Sequence, residues 1–257
     1  MNIMHFVLRV LGLSALALLL VLPAQAGLLE TSSALDRVYI PALALSTAAQ
    51  TDSAARMRAP VAFDRLQAQW PALRAELLQW LSSGGAGRAA AARKTLARVD
   101  SHIAAARQAL SAGNFKASHE ALEEVRIDLM EARRARGVDY FVDRLTAYHE
   151  PMEVLALAGK DWTPQDLTAP RHDELAKAFA HARVLWRTIE QNPPHVSAYG
   201  LNARQAAQLH LAMADENLAL TRLSDALRGG DAGALLKAAA AIKPPFARVF
   251  TAFGQLD

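Results

Sequence analysis

Apolar residues recur every three or four positions along most of this chain, in stretches separated by glycine, proline and asparagine. That period puts them on one face of an α-helix, and almost nothing alternates with period two as a half-buried strand would. Spacing and breakers predict eight helices. The first spans about Ser33 to Gln50, with Pro41 inside it, and the second about Val61 to Leu81, up to Ser82-Ser83-Gly84-Gly85. The third runs about Ala89 to Ser111; the fourth follows Asn114, a good N-cap, and reaches Arg136 before Gly137. The fifth begins after Asp139, contains Pro151 and ends near Ala158, and the sixth covers about His172 to Gln191. The seventh runs about Ala203 to Arg228, stopping at Gly229-Gly230, and the eighth fills Ala232 to Phe253 across Lys243-Pro244-Pro245-Phe246.

The landmarks of the second half follow those of the first. Phe63 and Trp70 are seven apart on the second helix, and Phe179 and Trp186 are seven apart on the sixth. Ala109-Leu110 leads through Gly113 to Gly137, as Ala226-Leu227 leads through Gly230 to Gly254. Asp36-Arg37, Tyr39 and Pro41 correspond to Asp143-Arg144, Tyr148 and Pro151 after a small insertion. The expectation is an all-α protein made of two related up-and-down four-helix units, 27–137 and 138–257, each helix burying its stripe against antiparallel neighbours.

The first 26 residues have a different pattern. Arg9 precedes an apolar run from Val10 to Leu22, Pro23 breaks it, and Ala24-Gln25-Ala26 follows. A positive start, a short apolar centre and an A-x-A end are the parts of a secretory signal peptide. The run is shorter than the ~20 residues of a transmembrane helix. The expectation is therefore cleavage after Ala26, a periplasmic or secreted mature chain, and no transmembrane anchor after cleavage.

Composition narrows the chemistry. There is no cysteine, which removes disulfides, thiolate zinc sites, c-type haem attachment and cysteine nucleophiles. The net charge is only +3, and the densest basic cluster, Arg133-Arg134-Arg136, sits at a helix C-terminus where the dipole favours cations. With no basic stripe and no interleaved aromatics, nucleic acid is excluded as a partner. No G-x-S-x-G elbow, phosphate-cradling glycine loop or H-E-x-x-H motif is present, so catalysis has no support.

One constellation carries candidate chemistry. His119 and Glu123 share a face of the fourth helix, and His149 and Glu153 repeat that spacing on the fifth. Counted outward from the Gly137 connection, the two pairs lie within about one turn of the same level at ~1.5 Å rise per residue. Aligned with the other half, all four fall where that half has apolar or aromatic residues, so they are expected to face inward. Two imidazoles and two carboxylates between helices suit iron, copper, zinc or nickel, with Met152 as a further candidate ligand. Haem is disfavoured: bundles that bind it non-covalently use histidine and methionine across a defined slot, whereas His119 and Met152 lie on adjacent helices.

Two readings compete: an inward polar network with a structural or partner-binding purpose, and an ordinary solvated helix face, with Arg126 and Arg144 neutralising Glu123 and Glu153. The other histidines (His102, His172, His181, His195 and His210) form no close ligand pair. The stripe Phe246, Val249, Phe250, Phe253 reads as core packing first and a partner groove second. Two functions follow as expectations: a helical bundle that binds a transition metal between its fourth and fifth helices, or a non-catalytic adaptor or scaffold of an envelope complex.

Overall fold

The computed structural model describes the backbone of residues 4–255 and the side chains of 26–255, so the leader expected over 1–26 lies, except for Ala26, outside the residues whose side chains are described. The described residues contain α-helices and short 3-10 turns and no strand. The helices are α1 (Met4–Ala48), α2 (Ser53–Ser82), α3 (Ala86–Ser111), α4 (Phe115–Ala135) and α5 (Phe141–Asp161), followed by α6 (Ala169–Gln191), α7 (Ala203–Gly229), α8 (Ala232–Ala240) and α9 (Lys243–Thr251).

Local chemistry accounts for the boundaries. Asp52, Asn114, Asn202 and Asp231 each accept a backbone N–H of the first turn of the helix that follows. Gly137 has φ +68° and reverses the chain between α4 and α5. Three expectations change. α1 begins at Met4 rather than near Ser33. α2 starts at Ser53 rather than near Val61 and carries both Pro60 and Pro71, its Asp52 cap holding a first turn upstream of the prolines. The predicted eighth helix divides into α8 and α9. Pro244 and Pro245 have no N–H to give to the preceding turn, so α8 stops at Ala240 and α9 starts afresh with the prolines in its first turn, where no donor is needed.

Contacts run α1–α2, α2–α3, α3–α4 and back from α4 to α1. They run again α5–α6, α6–α7, α7 to α8 and α9, and back to α5. Each set of neighbours closes a ring around apolar side chains. Phe63, Leu66, Leu77, Leu96 and Leu122 fill the first ring, and Leu145, Tyr148, Trp186, Leu220 and Val249 the second. Gly159 brings α5 against the backbone of α8: a Cβ there would lie 2.3 Å from the Ala240 nitrogen and 2.5 Å from the Leu236 oxygen.

A polar seam joins the rings beside the Gly137 turn. Arg133 of α4 is buried and makes a two-pronged contact with Asp143 of α5, Nε to Oδ2 at 2.9 Å and Nη2 to Oδ1 at 2.5 Å. Its guanidinium stacks 4.7 Å from the Tyr140 ring, and the Tyr140 hydroxyl donates to Asp36 of α1 at 2.5 Å. Burial lifts the Asp36 carboxyl to about 7, against the opposing pull of Arg133. Tyr199, in the 3-10 turn Val196–Tyr199, accepts from the Phe141 N–H and packs on Tyr140 and Phe253. This seam positions α4 beside α5, and with them the candidate constellation.

Candidate functional site

The 3.6-residue period alone aligns His119 over Glu123 and His149 over Glu153. Their closest approaches are 3.6 Å for His119 Nε2 to Glu123 Oε1 and 3.7 Å for His149 Nε2 to Glu153 Oε2. None of the four side chains is in bulk water: they are 24, 17, 21 and 25% exposed. They meet at a half-buried seam made by α4, α5, the end of α1 and the start of α9.

Two cations share that seam. The Arg126 guanidinium of α4, only 7% exposed, pairs with Glu123 and donates from Nη2 to His149 Nδ1 at 2.6 Å. It lies 5.7 Å from the Phe250 ring, and Phe246 lies 5.7 Å from the His149 ring, so α9 covers this face. Lys243 at the start of α9 donates to Glu153 Oε1 at 2.8 Å. The expected neutralisation of Glu123 by Arg126 is therefore present. Arg144 instead binds Asp139, and Glu153 is met by Lys243, ninety residues away in sequence.

These contacts fix a proton position. Arginine has only donors, so His149 must accept at Nδ1 and carry its proton on Nε2, towards Glu153. The one lone pair of the neutral ring is thereby engaged. Burial, then Arg126, then Lys243 disfavour the imidazolium and push the His149 pKa down to about 2. The same three causes, in the same order, lower His119. His119 Nδ1 is 2.8 Å from the Thr47 hydroxyl of α1, and that hydroxyl is also 3.3 Å from the Leu43 carbonyl. When Thr47 donates to Leu43, Nδ1–H donates to Thr47 and the His119 Nε2 lone pair faces Glu123. Burial raises the Glu123 carboxyl even though Arg126 opposes it.

With two neutral imidazoles, two carboxylates, one guanidinium and one ammonium, the cluster carries no net charge. Its hydrogen bonding is nearly complete. Arg126 Nε and Glu153 Oε2 are buried with no hydrogen-bond partner among the described residues. The donor set chosen from the sequence thus comes together, but with Arg126 inserted between Glu123 and His149. Among the described residues no group of three or more histidine, aspartate or glutamate side chains is placed to hold a metal ion. Met152 is fully buried in the apolar core, where a methionine packs as filler.

Sequence reasoning missed Lys243 and Thr47 as members of this cluster, because neither is near it in the chain. It also missed a buried carboxyl in the second ring. Glu216 of α7 is fully buried, accepts a short hydrogen bond from the Tyr148 hydroxyl, and leaves Oε2 without a partner. Burial lifts its pKa to about 8. An acidic residue at a core position of α7 was the available signal: Met213, Glu216 and Leu220 share one face. No helix among the described residues is long and apolar enough to cross a membrane. Comparison of the chain with protein families, with characterised proteins and with solved structures returned no match.

Proposed function

We propose that this is an exported, non-enzymatic helical-bundle protein that acts as an adaptor or scaffold in the cell envelope, its charge cluster serving to key α4, α5 and α9 together. The observation that carries this reading is the engagement of Glu123 and His149 by Arg126 and of Glu153 by Lys243. A buried cluster whose charges are paired from within favours one packing of its helices, because another arrangement leaves buried charge without a partner. On this reading His149→Ala lowers thermal stability and leaves the response to added metal unchanged. In-cell cross-linking of the exported chain then recovers a distinct envelope protein. A purified chain that retains near-stoichiometric metal overturns it.

One observation favours a second reading, transition-metal binding through His119, Glu123, His149 and Glu153. Both imidazoles are held neutral, the form that ligates, and His119 has a tautomer with its lone pair towards Glu123. An ion would have to release His149 from Arg126 and enter a cluster whose two carboxylates are already neutralised by Arg126 and Lys243. Loading with iron, copper, zinc and nickel, followed by metal analysis of wild type and His119→Ala, separates the two. Stoichiometric uptake lost in the variant favours the metal, and no uptake favours the keying network.

A further inference from the structure

The α7 surface facing away from its own ring core is organised as half of a helix–helix contact. Arg204, Gln208, Leu211, Asp215, Leu218 and Arg222 follow the spacing i, i+4, i+7, i+11, i+14, i+18, and all six are exposed. They fall on one stripe of the helix, about 27 Å long at ~1.5 Å per residue. Leu211 is 67% exposed and Leu218 48%, seven residues apart, at the repeat that places successive knobs on one seam.

Two open clefts lie along this stripe, between α7 and the α8–α9 pair. One, of about 740 Å³, is lined by Arg204, Gln208, Leu211 and Thr251. The other, of about 430 Å³, is lined by Leu218, Arg222, Lys237 and Pro245. Both include Asp215 and Arg248, whose exposed ion pair at 2.7 Å forms the saddle between them. Small apolar residues line the clefts, Ala212 and Ala219 from α7 and Ala238 from α8.

The rim is positive. Among the described residues lining the two clefts, four cations, Arg204, Arg222, Lys237 and Arg248, stand against one carboxylate, that of Asp215. Neither α8 nor α9 contains an acidic residue. Arg204, Arg222 and Lys237 make no ion pair among the described residues, so their charge is available to a ligand. A second copy of this chain does not fit. A two-fold contact along the stripe would set Arg204 of one copy near Arg222 of the other, like charge against like charge.

We propose that the α7 groove docks an acidic amphipathic helix of a partner protein, about five turns long, with leucine-type residues on the Leu211 and Leu218 line and carboxylates towards Arg204, Arg222 and Lys237. The proposal rests on the adaptor reading and names the surface and the class of partner that reading requires. It is independent of the charge cluster on the α4–α5 seam.

The test uses the full chain and three fluorescent peptides of about twenty residues: one with a leucine stripe flanked by glutamate, one with lysine in place of glutamate, and a scramble of the first. The acidic peptide is expected to bind, with affinity falling as salt rises. Leu211→Asp and Arg222→Glu should each weaken it about tenfold or more, while Val61→Asp, at another exposed apolar site, on α2, leaves it unchanged. Equal binding of all three peptides, or none by the acidic one, overturns the proposal. So does binding to phosphatidylglycerol vesicles in preference to the peptide, or self-association through the groove. A photo-cross-linker at Leu211 and another at Met57, an exposed apolar residue of α2, used in cells, distinguish the two levels. Products at 57 but none at 211 sink the groove and leave the adaptor reading standing, whereas products at neither sink the adaptor reading and leave the groove to the peptides.

Discussion

Arg133 offers the sharpest test of how the two rings are joined. In Arg133→Met the side chain keeps an unbranched apolar stem and loses the guanidinium, with its charge and its donors. The structure then leaves Asp143, 4% exposed, without the guanidinium that meets both its oxygens, and removes the stack on Tyr140. Breaking a buried ion pair by deleting one partner costs about 3–5 kcal/mol, because the surviving charge cannot reach water. Asp36 softens the loss little, since its carboxyl is already pushed up to about 7 and answers by taking a proton. For a protein of this size each kcal/mol shifts the midpoint by about 2–4 °C, so a fall of roughly 6–20 °C is expected. Thermal and urea unfolding followed by circular dichroism measure it, with the urea slope checking that the denatured state is unchanged. Arg133→Met/Asp143→Leu removes both charges and should recover most of the loss. A single variant within about 1 kcal/mol of wild type, or a double variant no better than the single, refutes the claim that this pair is balanced charge against charge.

Other expectations follow from the same contacts. Glu216 has its carboxyl raised from 4.5 to about 8, so the folded state holds a proton that the unfolded state gives up. Its contribution is greatest at acid pH and is lost as pH rises from about 4.5 through 8, and Glu216→Gln should abolish that part of the urea-stability profile. His149 has the opposite sign: its pKa falls from 6.5 to about 2, so stability is lost as pH drops below 6.5, and His149→Phe should flatten the acid limb. Gly159→Ala would ordinarily strengthen a helix by up to about 1 kcal/mol. Here the added methyl meets the Ala240 and Leu236 backbone, so a loss of about 1–3 kcal/mol in chemical denaturation is expected, and a gain would mean that α5 and α8 are not in close contact.

The helices were legible because their causes are local. Asn114 and Gly137 bound α4 through a cap and a left-handed turn that depend on a few adjacent residues. The Gly137 reversal also makes α4 and α5 neighbours, which is why His119, Glu123, His149 and Glu153 could be expected at one level. The split of α8 from α9 could be anticipated from Pro244-Pro245, although the direction α9 takes over the α4–α5 seam could not.

Local signals along the chain were enough for the all-helical class, the neighbours across short turns, and the candidate polar residues at helical spacing. The company those residues keep came from the packing of distant helices. Lys243 reaches Glu153 from ninety positions away, and Arg126 turns to His149 rather than leaving both imidazoles open to an ion. Helical period sets which side chains share a face on one helix. The lone pair a histidine has left, and the charge a carboxylate meets, depend on the neighbouring helix, whose rotation and approach are set by packing of the whole core.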